Sequence, residues 1–272
     1  MVVDAIHWNV NPDLLKIGSL TIRYYGILFA LGFVFGYIII LKYFKKENLK
    51  IELLDALTVY TAVGTIIGAR LGHCLFYQPG YYLSNPLEIL KIWKGGLASH
   101  GAAIGILIAL FLFARKYHKP YLWILDRIVI VVALAGFFIR MGNLMNSEIY
   151  GIETSLPWGF IFERNGEEVP RHPTQIYEAL SYLLIFVVLH FLFIKKATKL
   201  KEGSIFGLFL ILLFTVRFFI EYIKLDQSAF EAGMALNMGQ ILSIPFVLVG
   251  FLILFLVRNS KRTILPEGKN SK

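Results

Sequence analysis

Cysteine occurs once in 272 residues, as Cys74, which excludes an intrachain disulfide and a metal site built on several thiolates. Charge is scarce as well. Only 17% of residues are Asp, Glu, Lys or Arg, where a soluble domain carries about 25%. No segment alternates apolar and polar residues over about ten positions, so a transmembrane β-barrel is not expected. The opening Met1-Val-Val-Asp-Ala-Ile-His-Trp has neither a basic n-region nor an apolar h-region, and no cleavable signal peptide is expected. Internal repeats and a His-Glu-x-x-His motif are both missing. No group of His, Cys, Asp and Glu has metal-ligand spacing, so neither a metal nor a cofactor is expected.

Apolar sequence is what the chain has in excess: 57% of residues are hydrophobic and the mean hydropathy is +0.66. These residues gather in runs of about 20, the length of a helix crossing the hydrocarbon core. A helix satisfies its own backbone hydrogen bonds in lipid. The expected fold is an all-α polytopic integral membrane protein, a single membrane domain with seven transmembrane helices. The spans are expected at about 21–42, 54–77, 97–115, 121–142, 174–194, 204–223 and 240–257. Residues 143–173 hold Gly151, Pro157, Gly159, Gly166, Pro170 and Pro173 and are too irregular for one helix. They are expected to form a small irregular outer cap between spans four and five.

The net charge of +9 does not point to nucleic acid, because the basic residues sit in alternate short loops. The first-span loop holds Lys42, Lys45, Lys46 and Lys50; the third-span loop holds Arg115, Lys116 and Lys119. The fifth-span loop holds Lys195, Lys196, Lys199 and Lys201, and the tail holds Arg258, Lys261, Arg262, Lys269 and Lys272. The opposite loops carry Glu148, Glu153, Glu163, Glu167 and Glu168. The positive-inside rule then puts the N-terminus outside and the C-terminus in the cytoplasm.

An arginine at the centre of a span costs about 2.5–3.5 kcal/mol on insertion scales, so each one is a functional hypothesis. Arg70 lies in the outer part of span two, Arg140 near the outer end of span four, and Arg217 about two-thirds of the way out along span six. Glu221 follows Arg217 by one turn, Glu178 lies in the outer turn of span five, and His100 opens span three. Structural readings stand beside the functional one. Arg217 and Glu221 can form a plain i,i+4 pair, Arg140 can snorkel to headgroups, and Arg70 can pair with Glu178 to fix helix register. Lone His73 and His190 read as packed residues. Three arginines at similar depth beside one histidine suggest more. Guanidinium forks match phosphate oxygens, so a lipid phosphate is the natural ligand. Gly95-Gly96 gives span three a small-residue entry, and its helix N-terminus favours an anion. The Gly101-x-x-x-Gly105 spacing permits close helix packing. Tyr24-Tyr25-Gly26 opens span one at the same outer level.

The stretch Arg140-Met-Gly-Asn-Leu-Met-Asn-Ser-Glu-Ile-Tyr-Gly151 resembles the signature of the prolipoprotein diacylglyceryl transferase family. Tyr25-Gly26, the Gly-Ala-Arg-Leu-Gly segment at 68–72, His100-Gly101, the His-Pro-Thr-Gln-x-Tyr-Glu segment at 172–178 and Arg217 to Glu221 match further family segments in order. Ile139 stands where the family usually has glycine, and Lys224 stands near where some relatives carry arginine. Little weight falls on Lys224, a compact charge without the planar fork.

The resemblance implies a transferase of the bacterial cell membrane with its site near the outer face. Such an enzyme moves the diacylglyceryl group of phosphatidylglycerol to the lipobox cysteine thiol of a prolipoprotein signal peptide. A thioether forms and glycerol phosphate leaves. On this reading Arg140 and Arg217 hold the phosphate. Asn143 and Asn146 bind the glycerol headgroup or brace the cap, while Glu148 and Glu221 hold arginines in place. Tyr25, Gly151 and Arg70 lie on the substrate side. His100 is the thiol's base or a positioning residue. A thiol near pKa 8.5 passing its proton to an imidazole near 6.5 climbs roughly 2.7 kcal/mol, which fits within an enzymatic barrier. The rival readings are a membrane transporter and a scaffold that binds anionic lipids.

Overall fold

The computed structural model describes residues 5–18, 20–196, 200–225, 231 and 233–259. Lys199, Lys261, Arg262, Lys269 and Lys272, which carry part of the charge bias, lie outside the described residues. Among the described residues, seven helices are long and apolar enough to cross a membrane. They are α1 (Tyr24–Lys46), α2 (Ile51–Phe76), α4 (Ser99–Lys116), α5 (Tyr121–Met145), α6 (Thr174–Lys196), α7 (Ser204–Glu221) and α8 (Met238–Asn259). A short helix α3 (Pro79–Ser84) and two 3-10 turns fill the link from α2 to α4.

Four short strands among the described residues depart from the all-α expectation. Strand β1 (Ile6–Trp8) runs parallel to β4 (Phe160–Phe162), and β2 (Asp13–Ile17) pairs antiparallel with β3 (Leu20–Arg23). The second pair explains why the first span begins later than its apolar run. Residues 20–23 are held in a ladder, with Arg23 Nε donating to Asp13 Oδ1 at 3.1 Å.

The chain divides into two compact units. One comprises residues up to Gly36 and from Asp126 onward; the other is Tyr37–Leu125. In the second unit, α2 and α4 meet through glycines. A methyl on Gly68 would lie 2.4 Å from the Gly101 carbonyl oxygen, and one on Gly105 would lie 2.2 Å from that of Gly64. Helix backbones in lipid gain little from apolar burial, so this close approach is how the pair gains dispersion contact.

Helix ends in both units are shaped by left-handed caps. Asn48 (φ 53°) closes α1, where the Leu49 N–H donates to Phe44 O at 2.9 Å. Ser147 (φ 55°) closes α5, where the Glu148 N–H donates to Asn143 O at 3.0 Å. Both satisfy carbonyls that a helix end leaves open. Helix α7 takes its cap from another helix. Asp126 of α5 accepts the N–H groups of Gly203 and Phe206 at 2.7 and 2.8 Å.

Within the first unit the stretch 143–173 builds a small apolar core of its own. Leu144, Phe160 and Phe162 are buried, and Trp8, Met141, Tyr150 and Ile176 pack on them. Trp8 Nε1 donates to Leu144 O at 3.0 Å, so the N-terminal strand belongs to this core. Outside the helices, Glu167 accepts from Tyr150 Oη at 2.7 Å and Arg171 Nε at 2.8 Å. Burial opposes its charge, yet these two donors outweigh burial and hold its carboxyl below the usual carboxylate range.

Candidate functional site

The first unit gathers most of the residues singled out in the sequence. Arg140, in the next-to-last turn of α5, places Nε 2.9 Å from Glu178 Oε2. Glu178 has no exposed side-chain surface, and that oxygen takes the contact as an ion pair rather than an aligned hydrogen bond. Its Oε1 accepts from Lys224 Nζ at 2.9 Å, and the Tyr182 hydroxyl lies 3.4 Å away. Lys224 Nζ also donates to Glu221 Oε1 at 3.0 Å. Arg217 Nε lies 3.4 Å from the same oxygen. Five side chains of alternating charge therefore run in sequence from Arg140 through Glu178, Lys224 and Glu221 to Arg217. Buried charges at such cost persist only when paired. The two end arginines keep part of their side chains at the surface, 13% for Arg140 and 29% for Arg217.

Glu221 is fixed from the start of α8. Asn237 Nδ2 donates to its carbonyl oxygen at 3.1 Å, and a methyl on Gly239 would lie 2.4 Å from its Cδ. Only glycine leaves room there for the carboxylate.

A second branch leaves Arg140 through amides. Arg140 Nη1 donates to Asn143 Oδ1 at 3.1 Å, and Asn143 Nδ2 donates to Glu148 Oε1 at 2.7 Å. Asn146 Nδ2 reaches the same Glu148 oxygen at 3.1 Å. The Glu148 carbonyl accepts from buried Gln175 Nε2 at 2.7 Å. Here the backbone is strained. Ile149, a β-branched residue, has φ 61°, immediately beyond the Ser147 cap. Such values persist at sites that the surroundings over-determine. A cavity of about 350 Å³ opens at this loop, lined in part by Asn146, Tyr150, Asn165 and Leu225.

Tyr25 lies at the start of α1, its ring against Gly142. A methyl there would meet the ring at 2.7 Å. Gly151 is a packing position. It bridges Lys224 in antiparallel fashion, and a methyl on it would sit 2.3 Å from the Ile223 carbonyl oxygen.

Arg70 and His100 belong to the second unit. Arg70 is buried and spends its donors on backbone. Nη2 reaches Glu88 O at 2.6 Å, Nε reaches Ile89 O at 2.9 Å, and Nη1 reaches Gly95 O at 2.6 Å and Gly96 O at 3.3 Å. The guanidinium also lies 5.0 Å from the Tyr82 ring centroid. The sequence offered Glu178 as its partner; Glu178 is instead held by Arg140 and Lys224. This geometry makes Arg70 a latch on the segment that precedes α4. His100 is exposed in the first turn of α4.

Lys224, to which the sequence alone assigns little weight, is buried between two carboxylates. Its i,i+3 spacing from Glu221 was the available signal. Asn237 and Gly239 had no such signal, because their contact with Glu221 is purely tertiary.

The family model described as prolipoprotein diacylglyceryl transferase matches residues 12–256. A protein of Tolumonas auensis named phosphatidylglycerol–prolipoprotein diacylglyceryl transferase is 49% identical over 258 residues, covering 94% of this chain and 99% of the relative. Its namesake in Bacteroides fragilis is 44% identical over 269 residues, covering 94% of this chain and 97% of the relative. One from Wolbachia pipientis is 37% identical over 249 residues, covering 90% and 94%.

Proposed function

The chain belongs to the prolipoprotein diacylglyceryl transferase family, and on that premise we infer that it transfers the diacylglyceryl group of phosphatidylglycerol to a prolipoprotein. It is a multi-pass membrane transferase; neither the transporter nor the scaffold reading is favoured.

The acceptor is the lipobox cysteine of a membrane-bound signal peptide. Its thiolate, the real nucleophile, attacks the glyceryl carbon that carries the phosphate. The C–S bond forms as the C–O bond breaks, and the electron pair leaves with glycerol phosphate. Positive charge and hydrogen-bond donors in a dry site favour that departure. Arg140 and Arg217 supply them. The observation that best supports this assignment is the chain of buried ion pairs that anchors both guanidinium groups while leaving part of each at the surface.

Asn143 and Glu148 hold Arg140 in its rotamer, and Glu221 does the same for Arg217. Asn146 lines the neighbouring cavity, which suits the glycerol headgroup. Tyr25 and Gly151 shape the substrate side through packing. Arg70, with its N–H groups on carbonyls, serves structure. His100 is assigned the thiol's proton on chemical grounds: an exposed imidazole at a helix start can accept it. The basic loops favour a cytoplasmic C-terminus and a site near the outer face of the cell membrane.

The test is a transfer assay with purified protein, phosphatidylglycerol labelled in its diacylglyceryl part, and a lipobox peptide. The expected product is a thioether-linked diacylglyceryl peptide. Arg140→Lys and Arg217→Lys are each expected to lose most activity at normal membrane abundance, because an ammonium lacks the bidentate fork. Normal turnover in either overturns its phosphate role. Lipid binding without any product leaves a scaffold.

A further inference from the structure

We propose that Lys224 is a positioning residue for the transfer, acting through Glu178 and Glu221 on the two arginines; this rests on the phosphate reading of Arg140 and Arg217. The ammonium sits midway in the chain of ion pairs, 2.9 Å from Glu178 Oε1 and 3.0 Å from Glu221 Oε1. Its side chain is only 2% exposed, and the two carboxylates are 0% and 6% exposed. Lys224 has no direct route to a substrate at the surface, so its influence must pass through its partners.

Two effects follow from that position. The first is geometric. Glu178 belongs to α6 and Glu221 to α7, and each holds one arginine by Nε. A single ammonium bound to both carboxylates fixes their separation, and with it the separation of the guanidinium groups. The second is electrostatic. Each carboxylate shares its charge between an arginine and Lys224. Without Lys224 each buried carboxylate keeps its arginine as its cationic partner in this chain of ion pairs, and less of the guanidinium charge remains for an incoming phosphate. Such couplings are strong where solvent is excluded.

The backbone seats the ammonium. Lys224 bridges Gly151, the Ile152 N–H donates to Ile223 O at 2.9 Å, and the Gly151 N–H donates to His172 O at 2.8 Å. The end of α7 is thereby tied to the loop that ends the Arg140 signature. Lys224 reports the placement of that loop to both arginines. A compact ammonium with three donors suits two carboxylates on different helices.

The experiment measures kcat and KM for phosphatidylglycerol, and KM for the lipobox peptide, in Lys224→Met and Lys224→Arg. Lys224→Met is expected to lower kcat/KM for phosphatidylglycerol by about tenfold or more while KM for the peptide stays within about twofold. Lys224→Arg keeps the charge and is expected to recover a large part of that loss. A purely structural lysine would lower abundance or act on both substrates alike. Unchanged kinetics in Lys224→Met at normal abundance overturn the proposal, as does an equal effect on the peptide KM. If Lys224→Met does not accumulate, Lys224→Gln drops the charge and keeps an N–H donor for the two carboxylates. It is expected to fold and to keep the selective defect toward phosphatidylglycerol, and wild-type kinetics in it overturn the proposal. Arg140→Lys and Arg217→Lys run alongside. If both retain turnover, the phosphate reading has failed; if they lose it while the Lys224 variants do not, only the Lys224 role has failed.

Discussion

Arg140 holds Glu178 by an ion pair of 2.9 Å in which the carboxylate has no exposed surface. Arg140 is one of the two cations that this buried carboxylate holds, the other being Lys224. Glu178→Gln keeps the shape and removes the charge. Breaking a buried pair by neutralising one partner costs about 3–5 kcal/mol. The variant is expected to unfold at markedly lower temperature in detergent and to lose most transferase activity. An unshifted thermal midpoint would show that the pair is not what holds α5 to α6 here.

Gly151 bridges Lys224, with room for no side chain. A methyl would lie 2.3 Å from a backbone carbonyl oxygen and 2.7 Å from His172 Cβ, neither of them the far end of a flexible side chain. Overpacking of this kind costs about 1–3 kcal/mol or more. Gly151→Ala is expected to reduce stability by that order and to depress kcat/KM by moving Lys224. Thermal melts and transfer kinetics on one preparation check both.

His100 is exposed at the start of α4. A general base contributes about 10²- to 10⁴-fold. His100→Gln, with the amide in place of imidazole, is expected to lose that much in kcat and to flatten the rise of rate with pH. Near-wild-type turnover across pH 6–8 would remove His100 from proton transfer and leave it to position substrate.

Glu167 supports the fold in a pH-dependent way. Its carboxyl titrates below the usual range in the folded protein, where Tyr150 and Arg171 donate to it and Glu153 shares Arg171 at 3.6 Å. A depressed folded pKa means that the unfolded chain takes up the proton first as pH falls. The contribution is full above the ordinary glutamate pKa and is lost as pH drops through the folded value. Glu167→Gln should remove this part of the acid sensitivity. His172, held below its usual value by burial, adds a loss that begins below about pH 6.5. Thermal midpoints between pH 3.5 and 7 in Glu167→Gln and His172→Gln separate the two.

The seven spans were legible because apolar runs of about 20 residues have one stable solution in lipid. Arg140, Arg217 and Glu221 stood out for a related reason: charge in such runs is costly and needs a cause. The strands β1 to β4 were not legible, since segments of three to five residues carry too little pattern to outweigh neighbouring apolar sequence. Arg70 looked like the other arginines in sequence. Its environment differs only because residues 88–96 fold back over it and present their carbonyls.

What the sequence by itself determined was the class of fold, the number of spans, the small-residue spacing of Gly101 and Gly105 that permits close packing, and the residue types able to meet a lipid phosphate. These follow from composition and spacing along one chain. Tertiary structure alone decided which charge pairs with which. Glu178 lies 38 residues from Arg140 in sequence and could serve several cations; the helices bring it to Arg140 and Lys224. Pairing energy falls with distance in space and grows as water is excluded, and neither quantity is written in sequence order.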